Sequence, residues 1–95
     1  MEEVKPEKEE ERSGIIIYPN PVHSILNIEY PIMNNECRSI LEIFDIYGRK
    51  VKEIKVHREQ NEVTVNVSKW NKGIYIAVLW QKGKLIAKEK FMIIR

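Results

Sequence analysis

The side chains in this chain that could do chemistry are few: Asp45 with Arg49, the histidines His23 and His57, Cys37, and the serines Ser24, Ser39 and Ser68. A general acid or base needs a partner within hydrogen-bond reach of the proton it moves. Asp45 has none nearby in sequence. Its segment, Phe44-Asp45-Ile46-Tyr47-Gly48-Arg49-Lys50-Val51, reads as a strand ending in Asp, a corner with Gly and a following basic residue, which is a hairpin cue. In such a turn Asp45 accepts backbone N–H bonds or pairs with Arg49. His23 and His57 lie on different segments and belong to no spaced His or carboxylate set of the kind a metal needs, so both read as surface residues. None of the three serines sits in a G-x-S-x-G elbow. Cys37 lies in a polar loop beside Arg38, a charge that favours the thiolate, yet no histidine is paired with it. A single cysteine also excludes an internal disulfide framework and a Cys-cluster metal site. No Gly-rich phosphate loop is present. The expectation is a chain with no catalytic residue, no cofactor and no metal.

The elements that would carry any other function must come from one small domain. Ninety-five residues at 43% hydrophobic content give one core and little room for a deep pocket. Sixteen Lys and Arg stand against fourteen Asp and Glu, a formal net charge of +2. That balance, with lysines scattered rather than interleaved with aromatics, argues against nucleic acid as a partner. No apolar run approaches the roughly 20 residues of a membrane span. The charge is unevenly spread. Residues 1–12 hold six Glu against Lys5, Lys8 and Arg12, and only Met1 and Val4 are apolar. Such a segment buries too little surface to offset its ordering entropy, so residues 1–13 are expected to be a flexible acidic tail or linker and residues 14–95 the folded domain. The head lacks the basic start and apolar stretch of a signal peptide. The chain is therefore either cytoplasmic as written or a piece of a longer exported protein.

From Ser13 onward the apolar pattern has period two, the mark of half-buried strands. Strands are predicted at Ile15 to Tyr18, Leu26 to Tyr30, Leu41 to Asp45, Val51 to Val56 with an offset near Lys52-Glu53, Val63 to Val67, Ile74 to Trp80 and Leu85 to Ile94. Turn residues separate them: Pro19-Asn20-Pro21, Pro31 with Asn34-Asn35, Tyr47-Gly48, Glu59-Gln60-Asn61, Asn71-Lys72-Gly73 and Lys82-Gly83-Lys84. About seven short antiparallel strands without a helix predict an all-β, immunoglobulin-like β-sandwich. The Cys–Trp–Cys signature of antibody domains is absent, so Trp70 and Trp80 are expected to fill space without a disulfide to pack on. Between Ile74 and Trp80 both faces are apolar, with Tyr75, Ala77 and Leu79 on one and Ile74, Ile76, Val78 and Trp80 on the other. That strand is either covered on both sides or displays a patch. The last strand is basic at its margins (Lys84, Lys88, Lys90, Arg95) and apolar from Phe91 to Ile94.

Two short segments frame the domain. In Ile17-Tyr18-Pro19-Asn20-Pro21-Val22 the prolines fix two φ angles and the Asn side chain can hold a tight corner. Taken with Leu26-Asn27-Ile28, Ile43 to Val51, Lys72-Gly73-Ile74-Tyr75 and Gly83-Lys84 followed by Lys90 to Arg95, the chain from about Ile15 to Arg95 resembles the type A C-terminal sorting domain of the type IX secretion system (Por secretion system) of Bacteroidetes. The positions that match the family signature are Pro19, Asn20, Pro21, Asp45, Gly48, Arg49, Gly73, Tyr75, Gly83, Lys90 and Arg95. Trp70 departs from the Leu often found in the family, and the acidic head is unlike a typical passenger junction. The resemblance implies a domain covalently attached behind a secreted passenger. It further implies that the precursor crosses the periplasm, that the domain is recognised by the outer-membrane translocon, and that a gingipain-like cysteine sortase removes the domain at the cell surface and joins the passenger to an anionic lipopolysaccharide. Cleavage would fall in or before residues 1–14, and the Lys90 to Arg95 stretch would matter for export. The domain is then an address label rather than an enzyme. A terminal strand rich in β-formers suggests recognition by edge pairing with a receptor strand, and the same exposed edge leaves room for a weak homodimer. Two other readings compete: an immunoglobulin-like spacer of the hook-capping kind, and a carbohydrate-binding sandwich using Tyr75, Trp80, Trp70 and Tyr47.

Overall fold

The structure is a computed structural model that describes residues 14–31, 39–56 and 60–95. The expected acidic tail, Cys37 and His57 lie outside the described residues. Seven strands follow the predicted order: β1 (Ile16–Tyr18), β2 (Ile25–Glu29), β3 (Ser39–Asp45), β4 (Lys50–Val56), β5 (Glu62–Asn66), β6 (Gly73–Gln81) and β7 (Lys84–Ile93). They form two antiparallel sheets, β1-β2-β5 and β4-β3-β6-β7.

The period-two pattern explains why the sheets stack. Each strand turns alternate side chains inward. From the first sheet come Leu26, Ile28 and Val65, and from the second Leu41, Ile43, Tyr75, Ala77, Leu79, Phe91 and Ile93, all buried in one core. Burial of these apolar surfaces is the main stabilising term. Tyr30, just beyond β2, is also buried, and its hydroxyl has no hydrogen-bond partner. An unpaired buried hydroxyl costs free energy. Tyr30→Phe is therefore expected to leave the melting temperature unchanged or raise it; a fall of several degrees in a thermal melt would show that the hydroxyl is satisfied after all.

Two expectations shift in detail. The irregularity in β4 lies at Val51 rather than at Lys52-Glu53. Ile43 pairs with Lys52 and Phe44 with Lys50, so Val51 has no opposite residue and the register slips there. Trp80 fills no space between the sheets. It sits on the outer face of the four-stranded sheet, where its ring N–H donates to Glu42 Oε1 at 2.8 Å, while Trp70 packs on the core edge. The reason is parity: Trp80 falls on the same side of β6 as Val78, opposite to Leu79. The predicted β6–β7 hairpin is present. Lys82 and Gly83 have φ of 54° and 76°, the positive pair that a tight two-residue hairpin uses.

Candidate functional site

Tyr18-Pro19-Asn20-Pro21-Val22 carries the chain from one sheet to the other. Both prolines follow cis peptide bonds. The chain leaves the first sheet at Tyr18 and reaches the second at Val22, which forms a parallel bridge to Ile93 of β7. The Val22 N–H donates to the Met92 carbonyl at 2.9 Å and the Ile94 N–H donates to the Val22 carbonyl at 2.9 Å. The Asn20 side chain extends this strap. Its Nδ2 donates to the Lys90 carbonyl at 3.2 Å, and its Oδ1 accepts the Met92 N–H at 3.0 Å. An amide side chain presents one donor and one acceptor side by side, so it can pair with a strand edge as a backbone would. The edge of β7 from Lys90 to Ile94 is thereby closed. Edge pairing of that stretch with a receptor strand, as the sequence suggested, would require the strap to leave first.

Arg95 ties the same end together from the other side. Its guanidinium donates to the carbonyls of His23 at 2.6 Å, Val67 at 3.0 Å, Ser68 at 3.0 Å and Ile94 at 3.3 Å, and to that of Trp70. A planar fork with five donors suits such a cluster of carbonyls, and an ammonium does not. Three rings also pack in series at this end. Trp70 and Tyr75 lie 5.5 Å apart at 48°, and Tyr75 and Phe91 lie 5.5 Å apart and nearly parallel. The Tyr75 hydroxyl donates to the Asn71 carbonyl at 2.6 Å. Burial is the main cause that pushes its pKa up, with the Asp45 charge adding to it.

Asp45 faces Tyr75 across the β3–β6 ladder, which places the β3–β4 turn at this end as well. Asp45 Oδ1 accepts the N–H of Tyr47 and of Arg49, each at 2.9 Å, and its Oδ2 accepts Arg49 Nε at 2.8 Å. Gly48 closes the turn with φ of 83°, a conformation that is cheap for glycine. The Arg49 guanidinium also lies 5.3 Å from the centre of the Tyr47 ring. Both turn roles read from the sequence are filled at once. Hydrogen bonds from the Arg49 backbone, then from its side chain and the Tyr47 backbone, hold Asp45 below its ordinary value of 3.8, with desolvation opposing them. A carboxyl with a lowered native pKa stabilises the fold at neutral pH, and that contribution is lost as pH falls through the native pKa. Asp45→Asn is therefore expected to lower the melting temperature at pH 7, with the gap to the parent closing below about pH 4. A gap that stays constant down to pH 2 would refute this role.

The structure thus brings ten of the eleven signature positions to one end of the sandwich: Pro19, Asn20, Pro21, Asp45, Gly48, Arg49, Gly73, Tyr75, Lys90 and Arg95. Gly83 stands apart, in the hairpin at the far end of β6 and β7. Sequence reading missed the acceptors that Arg95 holds, because they are main-chain carbonyls and leave no mark on residue type. Val22 was likewise invisible as a bridging residue. His23 is exposed, as expected. The four aromatics of the carbohydrate reading do not form a row. Tyr75 is buried, Trp70 is partly buried, Tyr47 lies in the β3–β4 turn, and Trp80 is beside the opposite hairpin. Among the described residues no group of three or more His, Cys, Asp or Glu is placed to hold a metal ion.

A family model described as "Secretion system C-terminal sorting domain" matches residues 16–94. Among solved structures, the chain is similar to a DUF3244 family protein with an immunoglobulin-like β-sandwich fold from Bacteroides vulgatus. That match has a TM-score of 0.62 and 15% identity, covering 83% of this chain and 82% of the other. It is also similar to dimeric latent PorU from Porphyromonas gingivalis, with a TM-score of 0.64 and 21% identity over 84% of this chain. The aligned region spans only 9% of that protein. At these identities both likenesses bear on the fold alone, and the first match describes it as an immunoglobulin-like β-sandwich. Comparison with curated protein sequences gives no match.

Proposed function

The chain belongs to the secretion system C-terminal sorting domain family, and from that premise we propose that the strapped end of its sandwich is the part of the signal that the export machinery reads. The domain is a type IX sorting signal and directs export to the cell surface or beyond. Its partners in this reading are a passenger joined before residue 14, the outer-membrane translocon, and a sortase that cuts in or before residues 1–14 after transit through the periplasm. It catalyses nothing itself.

One observation supports this assignment above the rest. Segments as far apart in sequence as Pro19–Pro21, Asp45–Arg49, Gly73–Tyr75 and Lys90–Arg95 converge on one end of the fold. Some of these residues hold the fold, and others, such as Arg49 and Lys90, are exposed at its surface. Exposed members can be changed without disturbing the core, which separates recognition from stability.

The test is a reporter fused ahead of residues 1–95 in a host with a working type IX system. The parent fusion is expected at the surface. Arg49→Ala combined with Lys90→Ala is expected to cut surface delivery while the purified domain melts only slightly earlier. Undiminished delivery by that double variant would overturn the assignment of this end as the recognised surface.

A further inference from the structure

The outer face of the four-stranded sheet is apolar along its middle and uncovered. Val78 is only 8% exposed yet lies outside the inter-sheet core, covered by its neighbours on the outer face. Along the same stripe Ile74 is 41% exposed, Leu85 51% and Met92 40%. The register sets Ile74 opposite Met92 and Trp80 opposite Leu85, with Lys90 and Lys88 opposite Ile76 and Val78 between them, so the stripe follows β6 and reaches onto β7 only at its two ends. It ends in two adjoining open depressions of ≈ 250 and ≈ 450 Å³, both lined by Ile74 and Met92. An exposed contiguous apolar strip on a small domain marks an interaction surface.

Charge decides what fits it. The outward carboxylates of Glu42 and Glu53 are taken up within the face: Glu42 binds the Trp80 ring N–H and Lys50, and Glu53 binds Lys50. Lys55 on one margin and Lys88 on the other are exposed, and neither forms a salt bridge with a described carboxylate. Lysines at sheet margins guard edges against pairing, but that role leaves the apolar strip between them unexplained. Two copies stacked on this face would bring like-charged rims together with no free carboxylate to meet them, which disfavours self-association. The apolar side chains stand on a strand pair of the sheet, not on an amphipathic helix of the kind that lies in a lipid interface.

We propose that this face docks a protein surface whose apolar patch is edged by Asp and Glu. The inference rests on the sorting role proposed above and adds a second contact, on the sheet face rather than at the strapped end. The first arm of the experiment is the reporter fusion, comparing the parent with Lys55→Glu/Lys88→Glu and with Lys55→Arg/Lys88→Arg. The charge reversal is expected to cut surface delivery at least about tenfold at an unchanged melting temperature, with the Arg pair near parent level. The second arm places a photo-cross-linking residue at Leu85 in the same host. The adduct is expected on a protein segment rich in Asp or Glu, and the charge reversal should abolish it. Delivery unaffected by charge reversal, an adduct with a second copy of this chain, or binding of the purified domain to anionic phospholipid vesicles would each overturn the proposal. Failure of the parent fusion to reach the surface would count against the sorting role instead. The cross-linking arm would still decide the docking face.

Discussion

Phe91→Ala is expected to lower the melting temperature by about 15–30 °C, far more than any surface substitution would. Phe91 is 2% exposed and stacks on Tyr75, which in turn meets Trp70. Truncating a buried Phe costs about 3–5 kcal/mol through lost transfer energy and the cavity left behind. A small domain has roughly 5–15 kcal/mol in all. Phe91→Leu keeps most of the volume and should cost less than about 1.5 kcal/mol. Thermal melts of the two variants check this; a loss of only a few degrees for Phe91→Ala would mean that the ring stack is not part of the cooperative core. The result bears on function as well. Removing Lys90 to Arg95 as a block deletes Phe91 and Ile93 from the core. A loss of export in that deletion would report unfolding as readily as lost recognition, which is why single exposed positions make the sharper test.

Arg95→Ala comes second, with an expected cost of about 1–3 kcal/mol and a fall of about 5–15 °C in melting temperature. The residue is exposed on one side, which limits the cost, but its fork accepts no simple replacement. The carbonyls of His23, Val67, Ser68, Trp70 and Ile94 would lose a shared charged donor. Arg95→Lys should recover only part of the loss, since an ammonium cannot span that set. Hydrogen exchange gives a local readout. The Trp70 N–H donates to the Val67 carbonyl and the Val67 N–H to the Ser24 carbonyl. Both amides are expected to exchange faster in Arg95→Ala, because local opening there becomes easier. Unchanged exchange at both would show that the loop after β5 stands without Arg95.

The two substitutions act on one strand from opposite sides. Phe91 anchors β7 to the core, Arg95 fixes its end to the loop after β5, and Asn20 with Val22 closes its outer edge. As the edge strand of its sheet, β7 pairs with a full strand on one side only, the position from which local opening is easiest. In this domain it is held at three places within six residues. Asn20 is the lightest of the holds, since it offers two hydrogen bonds at an exposed site.

The seven strands and their order were legible in the order of residues. Period two, apolar residues and turn residues are local properties, and each strand carries its own. The turn at Asp45 and Gly48 was legible too, because side chain and backbone there interact within five residues. Both faces of β6 read as apolar, and that pattern left burial and display equally open. Stacking settled the matter, since two packed sheets leave the outer face of the second uncovered. Folding also placed Asn20 on β7 and Arg95 on the loop after β5, across about seventy and twenty-five residues of chain. Those contacts end on main-chain carbonyls and amides, which every residue possesses, so nothing in residue type could announce them. The strap that closes the last strand and the lysine rim around the apolar face are products of register and layer. Residue type marked the signature positions one by one, and long-range backbone pairing brought ten of them to one end.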